Sequence, residues 1–168
     1  MERVVEHITS GKKFEKLAAV LDIKKKLKES ESALKEYVDT MERIEFKLKI
    51  GLKPEADESA LYKETAENYI KGVGEYLEEV WRSDLMLFEG DETVQAALNS
   101  YYSKSQGMYK QLGEDLSSAV TKAFEDGIIT FDETKVIAEK RAKLAEFQAK
   151  MAKEDSKAEM EVFLNGLD

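Results

Sequence analysis

From about Lys12 to Met41 the apolar residues Phe14, Leu17, Leu21, Leu27, Leu34, Val38 and Met41 recur at sums of three and four, with lysines and glutamates between them. That spacing puts them on one face and predicts a helix over 12–42. Upstream, "HITSGKK" reads as a break after a short helix over 2–9. Then the period changes. In "RIEFKLKIGL", residues 43–52, Ile44, Phe46, Leu48, Ile50 and Leu52 alternate with Glu45, Lys47, Lys49 and Gly51. Period-two alternation with branched and aromatic residues on the apolar side predicts a short strand over 43–52. A lone strand leaves its backbone groups unpaired. Its partner would come from "GIIT" at 127–130, from a second copy, or from sequence outside the chain.

The helical period returns after the connector "GLKPEADES", where Asp57 or Ser59 can cap a helix over 57–88. Tyr62, Ala66, Tyr69, Val73, Tyr76 and Val80 step by four and three, with Ile70, Leu77 and Trp81 in an adjacent row. Gly72 and Gly74 interrupt it. Each costs about 1 kcal/mol against alanine, so they mark a kink or a close helix crossing. "EGDET" at 89–93 ends this helix and begins another over 92–126, striped by Val94, Leu98, Tyr101, Ser105, Met108, Leu112 and Leu116. In a last helix, 131–164, Ala138, Ala142, Ala145, Ala149 and Ala152 form a heptad-like row beside Ile137, Leu144 and Met151. Small residues at that spacing let helices approach closely. The expected fold is mainly α: elongated antiparallel helical hairpins, or a bundle of about four long helices, with one short strand segment. Residues 1–168 read as a single helical domain and as a fragment of a longer chain.

Composition narrows the function more than the fold. The 168 residues carry a net charge of −9, with 36% charged and 42% hydrophobic residues. This argues against direct nucleic-acid binding, which favours net basicity. Lys24, Lys25, Lys26 and Lys28 are the best basic stripe, but Glu29 and Glu31 follow at once, as on a solvated helix face. With no cysteine, disulfides, thiolate metal sites and cysteine nucleophiles are excluded. No apolar run approaches the roughly 20 residues that cross a bilayer, so no membrane segment is expected. Pro54 is the single proline, which permits long helices.

Candidate chemistry is sparse. "FEDGIITFDE" at 124–133 has the sound of half an EF-hand. With Gly127 at loop position six, Asp126 and Glu133 fall at positions five and twelve, but Lys122 and Phe124 fall at one and three and supply no ligand oxygen. The same letters make a helix corner. Gly127 can take the left-handed conformation that ends a helix, and Thr130 with Glu133 can form a capping box. His7, the only histidine, has no second ligand for zinc. No acid pair, among them Glu78–Glu79 and Glu154–Asp155, stands out as an acid/base couple. No metal or cofactor is expected. The row Tyr62, Tyr69, Tyr76 and Trp81 reads as core packing or as a partner-contact surface.

Three segments taken together resemble a known family: "ITSGKKFEKLAAVLDIKKKLKE", then "FKLKIGLKPEADESALYKETAENYIKGVGEYLEEV", then "YYSKSQGMYKQLGEDLSSAVTKAFEDGIITFDETKVIAEKRAKLAEFQAKM". Their order over residues 8–152 is similar to internal segments of tail tape-measure proteins from phages and prophages of Gram-positive bacteria. The closest echo is the "KAFEDGIITFDE" corner followed by an Ala/Lys-rich helix. The resemblance implies a non-enzymatic structural protein that scaffolds tail assembly and length. It would be made in the bacterial cytoplasm and located in the virion tail, self-associating and touching other tail proteins. No catalytic residues carry over. Two alternatives stand beside this reading: a helical protein-binding or regulatory module, and a degenerate EF-hand-like calcium-responsive protein.

Overall fold

The computed structural model describes the backbone of residues 2–166 and the side chains of Glu15 and of residues 17–155. Four helices follow one another: α1 (Glu2–Lys49), α2 (Ala56–Leu87), α3 (Glu92–Ala123) and α4 (Phe131–Gly166). Short connections make sequence neighbours antiparallel. Around the bundle α1 meets α2, α2 meets α3, α3 meets α4 and α4 meets α1. Helices α2 and α4 also approach across one diagonal, while the backbones of α1 and α3 stay farther apart among the described residues. Buried residues of all four helices form one continuous core. The helices therefore pack as one bundle rather than as extended, separate hairpins.

Among the described residues there is no strand, and the expectation at 43–52 is corrected to helix through Lys49 followed by a helix stop over 50–52. Ile44 is 1% exposed, whereas Phe46, Ile50 and Leu52 are 60%, 57% and 54% exposed. Alternation therefore does not predict which side faces inward. Leu34, Met41, Ile44 and Leu48, at helical spacing, do form the inward face of α1. The physical reason is cooperativity. Extending a formed helix adds one backbone hydrogen bond per residue, while an unpartnered strand has no ladder to join. Gly51 belongs to the helix stop. Its amide donates to the Leu48 carbonyl at 3.1 Å and the Leu52 amide to that of Lys47 at 2.9 Å, with Gly51 at φ 84°. That is a Schellman cap.

Two smaller expectations also change, and a third is decided between its alternatives. The break at "HITSGKK" is absent, since α1 runs through it. Gly72 and Gly74 lie within an uninterrupted α2 and mark close crossings. A Cβ on Gly72 would lie 2.8 Å from Leu34 Cδ2, and one on Gly74 would lie 2.5 Å from the Tyr109 hydroxyl. That hydroxyl donates to the Ile70 carbonyl at 2.7 Å, so α3 is tied to the backbone of α2 where glycine leaves room. On α4 the bulky row goes inward. Ile137, Leu144 and Met151 are buried, while Ala142 and Ala149 face solvent and the other alanines sit at the flank. Burial of large side chains returns more transfer free energy than burial of methyls, so the wider row takes the core.

At the turn between α2 and α3, Asp91 caps α3 by accepting from the Val94 amide at 3.1 Å. Trp81 donates to Asn99 Oδ1 at 3.2 Å across the same hairpin. The opposite end carries the other two connections, where the Tyr62 and Phe124 rings lie 6.3 Å apart.

Candidate functional site: polar layers inside the bundle

The chain turns much of its polar chemistry inward at a fixed interval. Helix α2 points Tyr62, Tyr69, Tyr76 and Ser83 into the core, each seven residues after the last. Helix α4 places Thr134, Arg141, Gln148 and Asp155 at the same step. From its flank α1 contributes Lys24, Glu31 and Glu45, in the same phase. A seven-residue step keeps a position on one side of gently supercoiled helices. The polar groups consequently meet in layers across different helices.

The first layer lies near the 50–55 and 124–130 connections. Arg141 Nη1 and Nη2 donate to Glu45 Oε2 and Oε1 at 2.6 and 3.0 Å, a two-pronged contact between α4 and α1. Tyr62 of α2 donates to Glu45 Oε2 at 2.7 Å. The Arg141 and Glu45 side chains are 8% and 13% exposed. Burial pulls the Arg141 guanidinium down, but its hydrogen bonds to Glu45 and the Glu45 charge more than offset this, leaving it raised. Burial, then the Glu45 charge, raises the Tyr62 hydroxyl well above the usual phenol range. Tyr69, one heptad on, is pushed up to about 12 by burial, with the Arg141 charge opposing. Both hydroxyls stay protonated throughout the physiological range.

In the middle layer Tyr76 donates to Glu31 Oε1 at 3.0 Å and lies beside Gln148. The last layer joins all four helices. Lys24 of α1 pairs with Asp155 Oδ2 of α4, and Tyr102 of α3 donates to Asp84 Oδ2 of α2. Asp84 and Asp155 are both buried and lie within hydrogen-bonding reach of each other. Asp84 Oδ1, Asp155 Oδ1 and the neighbouring Ser83 Oγ have no protein partner. Burial, reinforced by the adjacent Asp155 carboxyl, pushes Asp84 up to about 8, against the opposing pull of Tyr102 and Lys24. Two buried carboxylates facing one ammonium would leave a negative charge without compensation, and a retained proton removes it.

The residues singled out from sequence fall in two places. Tyr62, Tyr69 and Tyr76 are buried and Trp81 is half-buried, so this row is interior packing and not an open contact surface. Gly127 has φ 76° at the corner after α3. The Glu133 amide donates to Thr130 Oγ1 at 3.3 Å, and the Thr130 amide donates back to Glu133 Oε1 at 3.2 Å. Asp126 Oδ1 accepts from the Ile128 amide at 3.2 Å. The two acids that matched EF-hand positions are thus turned to local backbone. Thr130→Ala is expected to cost about 1 kcal/mol, the worth of an N-cap, read as a lower urea midpoint with unchanged slope. His7 lies outside the described side chains.

Sequence reasoning missed Asp84, Tyr102 and Arg141, set Glu45 on the polar side of a strand and Asp155 among unremarkable acid pairs, and placed Lys24 on a solvated face. One signal was available. Arg141 and Asp155 lie three or four residues from Ile137, Leu144 and Met151, the alternate positions of one inward seam, and Glu45 follows Val38 by seven, where a purely solvated charge would not sit. Outside the core, an open groove of about 450 Å³ runs between α1 and α2, lined by Lys26, Glu29, Ser30, Ala33, Glu75, Glu78 and Glu79. Among the described residues no helix is long and apolar enough to cross a membrane. No protein-family model, curated protein or solved structure matches the chain.

Proposed function

We propose that the protein is a non-enzymatic structural element, of the kind that makes up internal segments of phage and prophage tail tape-measure proteins. One observation supports the structural part of the reading, long helices joined across the bundle by polar layers; the tape-measure part rests on the resemblance over residues 8–152. Helices of 32 to 48 residues reach about 48 to 72 Å, the proportions of a spacer. In this reading the polar chemistry holds helices in place, and the outer surface meets a second copy or other tail proteins. The exposed Phe46 on the outside of α1, with Ile50 and Leu52 in the helix stop that follows it, supports such a contact.

Sedimentation velocity at rising concentration tests the association. The wild type should form larger species that Phe46→Glu with Ile50→Glu abolishes. A strict monomer at every concentration would count against self-assembly. Tape-measure membership is tested at the gene: a reading frame in a tail-gene cluster supports it, and an isolated frame in a non-phage context sinks it. A second reading is a helical module that binds an unrelated protein. It rests on the same exposed Phe46, Ile50 and Leu52, and the monomer result would favour it.

A further inference from the structure

We propose that the Asp84–Asp155 pair is a proton-gated clasp: a proton held by Asp84 and turned to the Asp155 carboxylate closes the end of the bundle near the α2–α3 turn, and its loss loosens that end. The geometry has three parts. Each carboxyl has its Oδ2 engaged, Asp84 by Tyr102 and Asp155 by Lys24, while each Oδ1 lacks a donor. A single proton placed between the pair supplies that donor and gives the second carboxyl its partner. The groups around it come from every helix: Lys24 from α1, Tyr76 and Ser83 from α2, Tyr102 from α3 and Asp155 from α4. Lys24 is the cation that faces the two acids, so the proton brings the layer to neutrality. Without it the layer holds an uncompensated buried negative charge, and the relief is to open and admit water.

The direction follows from linkage. Asp84 holds its proton more tightly in the folded bundle than in the unfolded chain. The stability this contributes is fully present below the ordinary value of 3.8 and is lost as pH rises through the folded value of about 8. Tyr102 does not interfere, because burial and the adjacent Asp84 raise its hydroxyl further from neutrality. The clasp is therefore closed in mildly acidic and neutral surroundings and opens in alkaline ones. Opening separates the second half of α4 from α1 and α2, while the Arg141–Glu45–Tyr62 layer at the far end holds.

The test is thermal unfolding of the whole chain, by circular dichroism from about pH 6 to pH 9. The wild-type Tm should fall across this range. In Asp84→Asn the amide donates to Asp155 as the protonated acid does, and its oxygen still accepts from Tyr102. Its Tm should be flat and above wild type at the alkaline end. A wild type without a fall, or a fall of equal size in Asp84→Asn, overturns the clasp. Two wild-type measurements stand if the variant does not fold. The Asp84 carboxyl carbon resonance should report a protonated acid at neutral pH, and an ionised one there overturns the proposal. Amide protection around Asp84 and Asp155, corrected for intrinsic exchange, should fall by up to about tenfold per pH unit above the titration. Amides around Arg141 should keep theirs, and equal loss at both ends overturns the local opening.

Discussion

Arg141→Ala is expected to cost the bundle about 3–5 kcal/mol, the range for breaking a buried ion pair from one side. The cause is what remains. Glu45 keeps its charge on the flank of α1 with both oxygens stripped of their guanidinium donors. Tyr62 still donates to Oε2, but one neutral donor does not replace a two-pronged charged one. Urea unfolding should show a lower midpoint with little change in slope. Added salt should restore little, because screening acts weakly on a pair this buried. Lysine at 141 is expected to recover only part of the loss, since it offers a point charge instead of a planar fork.

Removing the whole layer should behave differently. In the triple variant Glu45→Met, Tyr62→Phe and Arg141→Met no group is left uncompensated, so stability should lie near wild type or above it. If the layer's value lies in fixing the pairing of helices, that variant should pair less uniquely, with mixed species in sedimentation. A triple variant as uniquely folded as wild type would confine the layer's role to stability.

Ile44→Ala is the second large effect, expected to cost about 2–5 kcal/mol as a cavity in a packed core. Phe46→Ala, two residues on, should fall within about 0.5 kcal/mol of wild type, because its ring is 60% exposed. A strand with Ile44 and Phe46 on one buried face would make both substitutions costly. Parallel urea titrations of the two variants separate these cases, and comparable losses would contradict the helical register of α1.

The same pair of residues shows how far the fold was legible. The three later helices are written in apolar spacing that no other element satisfies, and the limits of the last two follow from Asp91, Gly127 and Thr130, whereas α2 starts after Glu55 without a side-chain cap and not at Asp57 or Ser59. At 43–52 two periods overlap. Ile44 and Leu48 satisfy both the alternating and the helical template, and the choice lies in backbone pairing that residue types do not encode. Gly51 tips the balance only once seen as a cap. The polar layers were harder still. Glu45 and Arg141 read as ordinary surface charges until they are placed 96 residues apart in sequence and 2.6 Å apart in space. Their heptad phase pointed inward. Which acid met which base depended on the order in which four helices surround the core.

That order has a mechanical consequence. Helix α1 begins and α4 ends at the same end of the bundle. A load entering through one and leaving through the other peels the two apart from that end instead of shearing them along their length. Among the described side chains the Lys24–Asp155 contact should give way first, then the contacts around Tyr76 and Gln148, and the Arg141–Glu45 fork last. Under tension the bundle should lengthen in discrete steps rather than fail at once, with the hardest step at the far end. Mild alkalinity would remove the first step and leave the last.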